Sequence, residues 1–203
     1  MSSTNRGGER SPADNYPSPR WTVRRIIERL SLPKDCIWYE PCGGDGAVIE
    51  TVGREIDWCA NDTRDESVAM LRAAVGPENV TQGDILTLDP AIMPDPDRVG
   101  VVMTNPPYRI AFFLLQRMLA VYPKAHIVLL LRLNFVASEK RHDFMTKFAP
   151  DLYVLPNRPG FKKWGKTDSP EYAWFHWGPA PRARKEGRYQ LLDLTSLDER
   201  KKG

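Results

Sequence analysis

The tetrapeptide Asn105-Pro106-Pro107-Tyr108 has the composition of a site for a flat molecule that carries an amino group. Its two prolines hold the backbone extended and remove two amide donors. What remains are acceptors, namely the Asn105 side-chain oxygen and the Pro106 carbonyl. Two convergent acceptors suit both hydrogens of a planar NH₂ group, and the Tyr108 ring can stack on a flat aromatic. A proline-stiffened loop without a ligand is the alternative.

A glycine-rich turn over residues 39–47 is the second candidate site. Gly44 and Gly46 allow a tight turn and the close approach of a ligand to the backbone. Glu40 and Asp45 would repel a pyrophosphate, so the turn favours a ligand without phosphates, and best a cationic one. Asp62 follows this turn along the chain. In nucleotide-binding α/β folds, a carboxylate at this distance from the turn binds the ribose hydroxyls. A tight turn with no ligand is the alternative.

Residues 158–167 combine basic, aromatic and glycine residues, a mixture typical of segments that bind nucleic acid. Basic side chains contact phosphates, and aromatic rings stack on bases. The candidate substrate-binding residues here are Arg158, Phe161, Lys162, Lys163, Trp164 and Lys166. A solvated loop whose aromatic rings pack beneath it is the alternative.

Alternating strands and helices must position these motifs. Apolar runs predict strands at 36–39, 58–60, 80–82, 99–104, 125–131, 152–155 and 171–177. Helical spacing predicts helices at 21–30, 47–52, 67–75 and 110–121, and a further one from Ser138 to about residue 148. Because the strands are too apolar to have one solvated face, we expect a parallel sheet covered by helices on both sides. Ligands of such sheets bind at the carboxyl ends of the strands.

The composition is that of an ordinary globular protein, with 41% hydrophobic and 27% charged residues in a chain of 203. It excludes wholesale disorder, collagen and coiled coil. No apolar run approaches the ~20 residues of a membrane span. The three cysteines form no Cys-x-x-Cys pair, so we expect neither a disulfide framework nor a metal site. The polar N-terminus lacks a signal-peptide core, which favours a cytoplasmic location in the host cell.

Charge is distributed unevenly along the chain, although the net charge is only +3. Residues 35–100 hold 14 Asp and Glu against four Lys and Arg, whereas residues 101–188 hold 15 Lys and Arg against six Asp and Glu. This asymmetry indicates that the second half faces a polyanion. Chance segregation of surface charges is the alternative.

In their order, Glu40-Pro41-x-x-Gly44-x-Gly46, Asp62, Asp84 and Asn105-Pro106-Pro107-Tyr108 resemble the class I S-adenosylmethionine-dependent methyltransferases, and among them the DNA adenine-N6 methyltransferases of phages and prophages. Upstream, Asn15-Tyr16-Pro17-Ser18-Pro19 resembles the Tyr-Pro-Thr-Pro element of that group, with serine in place of threonine. The resemblance implies one Rossmann-like α/β domain with a seven-stranded, mostly parallel sheet, an antiparallel strand 7 and helices on both faces. We expect this catalytic domain at 16–178, after a flexible arm at 1–15 and before a basic, mixed tail at 179–203.

The resemblance also implies a role for each matching residue. The residues that would bind S-adenosylmethionine are Tyr16, Pro17, Glu40, Pro41, Cys42, Gly44, Gly46, Asp62, Asp84, Ile85 and Asn105. Among them, Glu40 and the glycine turn would hold the methionine part, Asp62 the ribose hydroxyls and Asp84 the adenine amino group, with Ile85 against the ring. The catalytic segment would be Asn105, Pro106, Pro107 and Tyr108. Tyr108 would stack on the flipped base, with Phe161, or else Trp164, completing the stack.

The function expected from this resemblance is methyl transfer to the N6 amino group of adenine in DNA. Loose sequence specificity is expected, because no separate target-recognition domain follows the fifth strand. RNA adenine or a protein glutamine are alternative targets, and a non-catalytic nucleic-acid-binding protein of the same fold is a further alternative. We expect no membrane and no metal partner. His126, His142 and His176 are expected to be structural or surface residues without an acidic partner.

Overall fold

A computed structural model describes residues 17–161, 169–182 and 186–201. Its strands are β1 (Ile37–Glu40), β2 (Asp57–Asp62), β3 (Val80–Gln82), β4 (Val99–Thr104), β5 (His126–Arg132), β6 (Asp151–Val154), β7 (Tyr172–Trp177) and β8 (Tyr189–Leu191). Its helices are α1 (Arg20–Arg29), α2 (Ala47–Val52), α3 (Asp65–Val75), α4 (Ala111–Val121), α5 (His142–Lys147) and α6 (Leu197–Lys201). These bounds match the predicted elements closely. The exception is the helix predicted from Ser138, where a 3-10 turn (Glu139–Arg141) precedes a short α5 and the serine side chain does not cap it.

All eight strands form one sheet in the order β3-β2-β1-β4-β5-β7-β6-β8. β1 pairs in parallel with both β2 and β4, and the pairs β2–β3 and β4–β5 are also parallel. β7 lies antiparallel between β5 and β6. The predicted mostly parallel sheet with an antiparallel strand 7 is therefore confirmed.

The expectation of seven strands is wrong by one, because β8 pairs in parallel with β6 at the sheet edge. This strand has only three residues, and two of them, Tyr189 and Leu191, are exposed. An edge strand this short carries no buried apolar run, so the tail shows no strand signal. The predicted boundaries of the arm, the domain and the tail stay a prediction.

Alternate residues of the central strands enter two cores on opposite faces of the sheet. On one face Val128 and Leu130 of β5 pack with residues of α1, α2 and α3. On the other face Ile127, Leu129 and Leu131 pack with residues of α4. The apolar runs therefore reflect a sheet covered on both sides, as predicted.

The aromatic residues of the last strands belong to these cores. Tyr153, Tyr172, Trp174, Phe175 and Trp177 are all buried, which confirms that they serve packing within the sheet. None of the helices in the described ranges has both the length and the apolarity that a membrane crossing needs.

Candidate active site

A cleft opens at the carboxyl edge of the sheet, where the strand order reverses. The chain runs outward from β1 through β2 to β3 and then returns to the other side of β1 as β4. Open α/β sheets bind ligands at such a reversal. The cleft is partly open to solvent. Its lining includes Pro17, Glu40, Pro41, Cys42, Gly44, Asp62, Asp84, Ile85, Asn105 and Pro107.

The glycine-rich turn forms the floor of this cleft between β1 and α2. Gly44 and Gly46 have φ angles of 57° and 76°, a left-handed conformation in which other residues are strained. The Gly43 amide donates to the Asn61 carbonyl (2.9 Å) and the Gly44 amide to Asp62 Oδ2 (2.9 Å). The end of β2 therefore fixes the shape of the turn.

Glu40, the last residue of β1, carries a carboxylate buried at the base of the cleft. Its side chain is 2% exposed, and within the described ranges its Oε2 atom has no hydrogen-bond partner. Burial raises the pKa of this carboxyl well above its usual range, and the nearby carboxylates of Asp45 and Asp62 raise it further. A cationic group in the cleft would supply the missing partner. The site thus fits a ligand with an ammonium group.

Asp62, at the end of β2, is buried and held in a fixed orientation. Its Oδ1 atom accepts from the Arg64 backbone amide (3.0 Å) and from Arg64 Nε (3.2 Å). Its other oxygen, Oδ2, accepts a hydrogen bond from the Gly44 amide. That second oxygen is available to a hydroxyl donor in the cleft.

Asn61 joins the two loops on either side of Asp62, and the sequence analysis did not single it out. Its side-chain amide donates to the carbonyls of Pro41 (3.1 Å) and Gly83 (3.0 Å), and its oxygen accepts from Thr81 (3.0 Å). It is 1% exposed. A polar residue ending a strand beside a site carboxylate was the only signal for this role.

The loop after β3 is anchored from α4 by a residue that the sequence analysis also missed. Asp84 Oδ1 accepts from the Leu86 amide (3.0 Å), and Ile85 is buried. The Arg117 guanidinium donates to the Leu86 carbonyl (3.2 Å) and to the Leu88 carbonyl. Asp84 and Ile85 thereby face the cleft from a braced loop.

The tetrapeptide that begins at Asn105 follows β4 directly, and its residues Asn105 and Pro107 line the cleft. The Tyr108 hydroxyl donates to Asn105 Oδ1 (3.3 Å). Thr104 Oγ1 donates to the Cys42 carbonyl (3.3 Å), which ties the end of β4 to the glycine-rich turn. Burial raises the pKa of the Cys42 thiol, so this side chain is neutral near pH 7. Amide acceptors and acidic groups therefore share one cleft.

Aromatic rings extend the wall beyond Tyr108. The Tyr108 and Tyr172 ring centroids lie 5.8 Å apart, and those of Tyr172 and Phe161 lie 5.0 Å apart. Phe161 is buried, so it is a packed residue rather than one exposed in a loop. Its predicted contact with a base stays a prediction. Arg132 lies against the Tyr108 ring, 4.8 Å from its centroid.

The remaining predicted substrate residues fall in two groups. Arg158 is exposed and forms an ion pair with Glu171 (2.6 Å), immediately before β7. Four others lie outside the described residues, namely Lys162, Lys163, Trp164 and Lys166. The same holds for Tyr16 among the cofactor candidates.

The expectation that the histidines lack acidic partners is wrong for His142 and His176. His126 Nδ1 and His176 Nε2 lie 2.9 Å apart, and His176 is 3.8 Å from an Asp151 oxygen. His142 contacts the neighbouring Asp143 (3.0 Å). The first two join the start of β5 to the end of β7, at the edge opposite the cleft, because antiparallel pairing brings these ends together. The described residues contain no group of three or more potential metal ligands.

Solved structures share this fold at low sequence identity. ErmE, a 23S rRNA methyltransferase, matches with a TM-score of 0.61 and 20% identity over 85% of this chain and 73% of its own. The methyltransferase subunit of a type I restriction-modification system from Streptococcus thermophilus matches with a TM-score of 0.65 and 12% identity over 93% of this chain and 52% of its own. An RNA methyltransferase from Salinibacter ruber, solved with S-adenosyl-L-homocysteine, matches with a TM-score of 0.52 and 16% identity over 83% of this chain and 99% of its own.

No protein-family model matches the sequence, and no curated protein matches it either. The structural likeness is therefore a likeness of fold. The chain has the Rossmann-like α/β fold of the class I methyltransferases.

Proposed function

We propose that this protein transfers a methyl group from S-adenosylmethionine to the N6 amino group of adenine in nucleic acid, and that the nucleic acid is DNA. One observation carries the proposal. Asn105 lines the same cleft as the buried Glu40 carboxylate and Asp62, and the Tyr108 hydroxyl donates to its Oδ1 atom. A site for a planar amine thus adjoins a site for a cationic nucleoside.

The carboxyl groups of Glu40, Asp62 and Asp84 line one cleft, and each would hold one part of S-adenosylmethionine. Glu40 would accept from the methionine ammonium, which satisfies its buried Oε2 atom. Asp62 would accept from the ribose through its second oxygen, and Asp84 from the adenine amino group, with Ile85 against the ring. The methyltransferase solved with S-adenosyl-L-homocysteine supports this choice of cofactor.

Asn105 and Pro106 would act on the nucleophile. S-adenosylmethionine supplies a methyl group already activated by its sulfonium, so the chain contributes mainly proximity and aim. The lone pair of an exocyclic amine is delocalised into the ring, which makes it a poor nucleophile. Accepting both N–H groups, at Asn105 Oδ1 and the Pro106 carbonyl, favours a pyramidal nitrogen and stabilises the positive charge that develops. A duplex base would have to leave its stack first and pack against Tyr108.

The target class follows from charge and from resemblance. Excess basic residues after residue 100 suit a polyanion, whereas a glutamine side chain needs no phosphate contacts. The motif order resembles that of phage DNA adenine-N6 methyltransferases, which favours DNA. RNA adenine is the second candidate, supported by the likeness to ErmE and to the Salinibacter protein.

The test is methyl transfer from radiolabelled S-adenosylmethionine to unmethylated duplex DNA, single-stranded DNA, RNA and a protein extract in parallel. Labelled substrate is then digested and analysed by mass spectrometry. N6-methyladenine in DNA is the expected product. Label only in RNA or in protein would show that the substrate is not DNA and would leave the assigned site unchanged. No label anywhere, with cofactor binding shown separately, would favour a non-catalytic nucleic-acid-binding protein.

A further inference from the structure

Arg64 lies between β2 and α3 and lines the cleft, but it belongs to none of the sequence motifs. We propose that its terminal nitrogen Nη2 donates a hydrogen bond to one ribose hydroxyl of the bound cofactor, while Asp62 accepts from the other hydroxyl. The two residues would together select a nucleoside with two neighbouring hydroxyl groups. This inference rests on the proposed function, because it names a further contact of the proposed cofactor.

The hydrogen bonds of Asp62 leave its carboxylate with room for one hydroxyl. A carboxylate offers about four acceptor positions, shared equally by its two oxygens. Oδ1 accepts from the Arg64 backbone amide (3.0 Å) and from Arg64 Nε (3.2 Å), which fills its positions. Oδ2 accepts from the Gly44 amide (2.9 Å) and, within the described part of the chain, keeps one position. The second ribose hydroxyl therefore needs another partner, and its oxygen can accept a hydrogen bond.

The guanidinium of Arg64 is oriented to supply that partner. Nε and Nη2 lie on the same edge of a guanidinium and donate in parallel directions, as they do to the two oxygens of a carboxylate. Since Nε donates to Asp62, Nη2 points alongside this carboxylate. A Cβ atom added at Gly44 would lie 3.9 Å from Nη2, so Nη2 also approaches the glycine-rich turn. Asp62, the Gly44 backbone and Nη2 thus meet on one side of the cleft.

Local sequence holds Arg64 in this position. Asp62 accepts from the amide two residues later, which is the hydrogen bond of an Asx turn. Arg64 is then the residue that precedes α3, and its carbonyl accepts from the Val68 amide (2.9 Å). Among the described residues, its guanidinium has no hydrogen-bond partner besides Asp62, and its side chain is 34% exposed. Nη2 can therefore bind a ligand without breaking another contact within the described ranges.

The charge of the cleft supports a donor at this position. Glu40, Asp45, Asp62 and Asp84 line the cleft, and Arg64 carries the one basic side chain among the described residues that line it. An ionised carboxylate can accept hydrogen bonds but cannot donate one. Arg64 thus supplies the donor that these acidic groups lack.

The experiment measures binding of S-adenosylhomocysteine and of its 2′-deoxy and 3′-deoxy analogues by isothermal titration calorimetry. The wild-type protein should bind each analogue about tenfold more weakly, because each lacks one hydrogen bond to a charged group. Arg64→Met keeps an unbranched side chain but has no donor. In this variant the loss for one analogue should disappear. The loss for the other analogue, whose missing hydroxyl would donate to Asp62, should remain.

Arg72→Met is the matched control, because Arg72 is exposed near the end of α3 and is not among the residues that line the cleft. It should keep both losses at their wild-type size. A wild-type protein that binds either analogue as tightly as S-adenosylhomocysteine would refute the proposed contact. Two undiminished losses in Arg64→Met would also refute it.

Two losses that shrink equally in Arg64→Met would refute the direct contact as well, and would leave Arg64 as a residue that only positions Asp62. Each of these failures differs from failure of the proposed function. In that case the wild-type protein would methylate no nucleic acid, whatever the pattern of analogue binding.

Discussion

Replacing Glu40 by glutamine should weaken binding of S-adenosylmethionine and abolish the pH dependence of that binding. In the cofactor-free protein, burial and the neighbouring Asp45 and Asp62 carboxylates hold the pKa of Glu40 well above its usual range. An ammonium group beside Oε2 favours the charged carboxylate, so cofactor binding lowers this pKa and releases a proton. The affinity should therefore increase as pH rises toward the pKa of the free site.

The size of both effects follows from one buried contact. A hydrogen bond to a charged group contributes about 1.5–3 kcal/mol, so Glu40→Gln should weaken binding about 10- to 150-fold. Release of one proton gives a slope of log K against pH of up to about one, since each pH unit is worth 1.4 kcal/mol per proton. Glutamine keeps the shape of the side chain and cannot ionise, so the slope should vanish in the variant.

The assay is isothermal titration calorimetry with S-adenosylmethionine between pH 6 and 8, in buffers of different ionisation enthalpy, which reports the protons released. Glu78→Gln is the control, because Glu78 is exposed in the 3-10 turn before β3, outside the cleft lining. No proton release by the wild-type protein, or equal affinity of the Glu40→Gln variant, would refute the role assigned to this carboxylate.

The raised pKa of Glu40 also affects the stability of the cofactor-free protein. Its contribution to stability falls as pH rises, whereas that of an ion-paired carboxylate, whose pKa is lowered, falls as pH decreases. Folded Glu40 holds its proton more tightly than the unfolded chain, whose carboxyl titrates near pH ~4.3. Its contribution to stability is therefore full below that pH and is lost as pH rises toward the folded pKa. Thermal unfolding without cofactor should show Glu40→Gln gaining stability relative to wild type as pH rises.

Substitutions at three further residues test other parts of the site. Asn105→Ala should leave cofactor affinity within a few-fold and reduce turnover about 10²–10³-fold, as for loss of one catalytic hydrogen-bonding group; unchanged turnover in the methyl-transfer assay would contradict its role. Tyr108→Phe should keep nucleic-acid affinity, whereas Tyr108→Ala should weaken it by the ~1–3 kcal/mol of one stacked base in a fluorescence binding titration; equal losses in both variants would point to the hydroxyl instead. Asn61→Ala leaves the Pro41 and Gly83 carbonyls without a donor and should lower the free energy of unfolding by about 2–5 kcal/mol in urea; a loss below about 1 kcal/mol would mean that both carbonyls find other donors.

The parts of the site that the sequence predicted are those set by local sequence. A carboxylate or amide that directly follows an apolar strand must lie at the carboxyl edge of a parallel sheet, which placed Asp62 and Asn105 together. The acidic residues of the glycine-rich turn are by themselves unfavourable for a pyrophosphate, because like charges repel. Burial of Glu40 beside Asp45 and Asp62 strengthens that inference, because a carboxyl group in this position ionises more readily when a cation binds next to it.

The parts that the sequence did not predict depend on contacts between distant residues. Arg117 lies on α4 but anchors the loop after β3, 31 residues earlier in the chain. Arg132 reaches Tyr172 across 40 residues, through a strand register that no local pattern determines. His126 and His176 meet for the same reason, across 50 residues. From residue type alone, these side chains cannot be distinguished from ordinary surface or structural residues.

The uneven charge of the sequence acquires a physical meaning in the sheet. Residues 35–100, which carry the acidic excess, build β1, β2 and β3, and the basic region from residue 101 builds most of β4 and the strands beyond it. The border between the two therefore runs along β1 and β4, at whose carboxyl ends Glu40 and Asn105 face one cleft. The proposed reaction brings a cationic cofactor to a polyanionic substrate. A protein that attracts the cationic cofactor to its acidic half and the polyanionic substrate to its basic half can bring the two together at the boundary. It then needs no single surface that suits both charges.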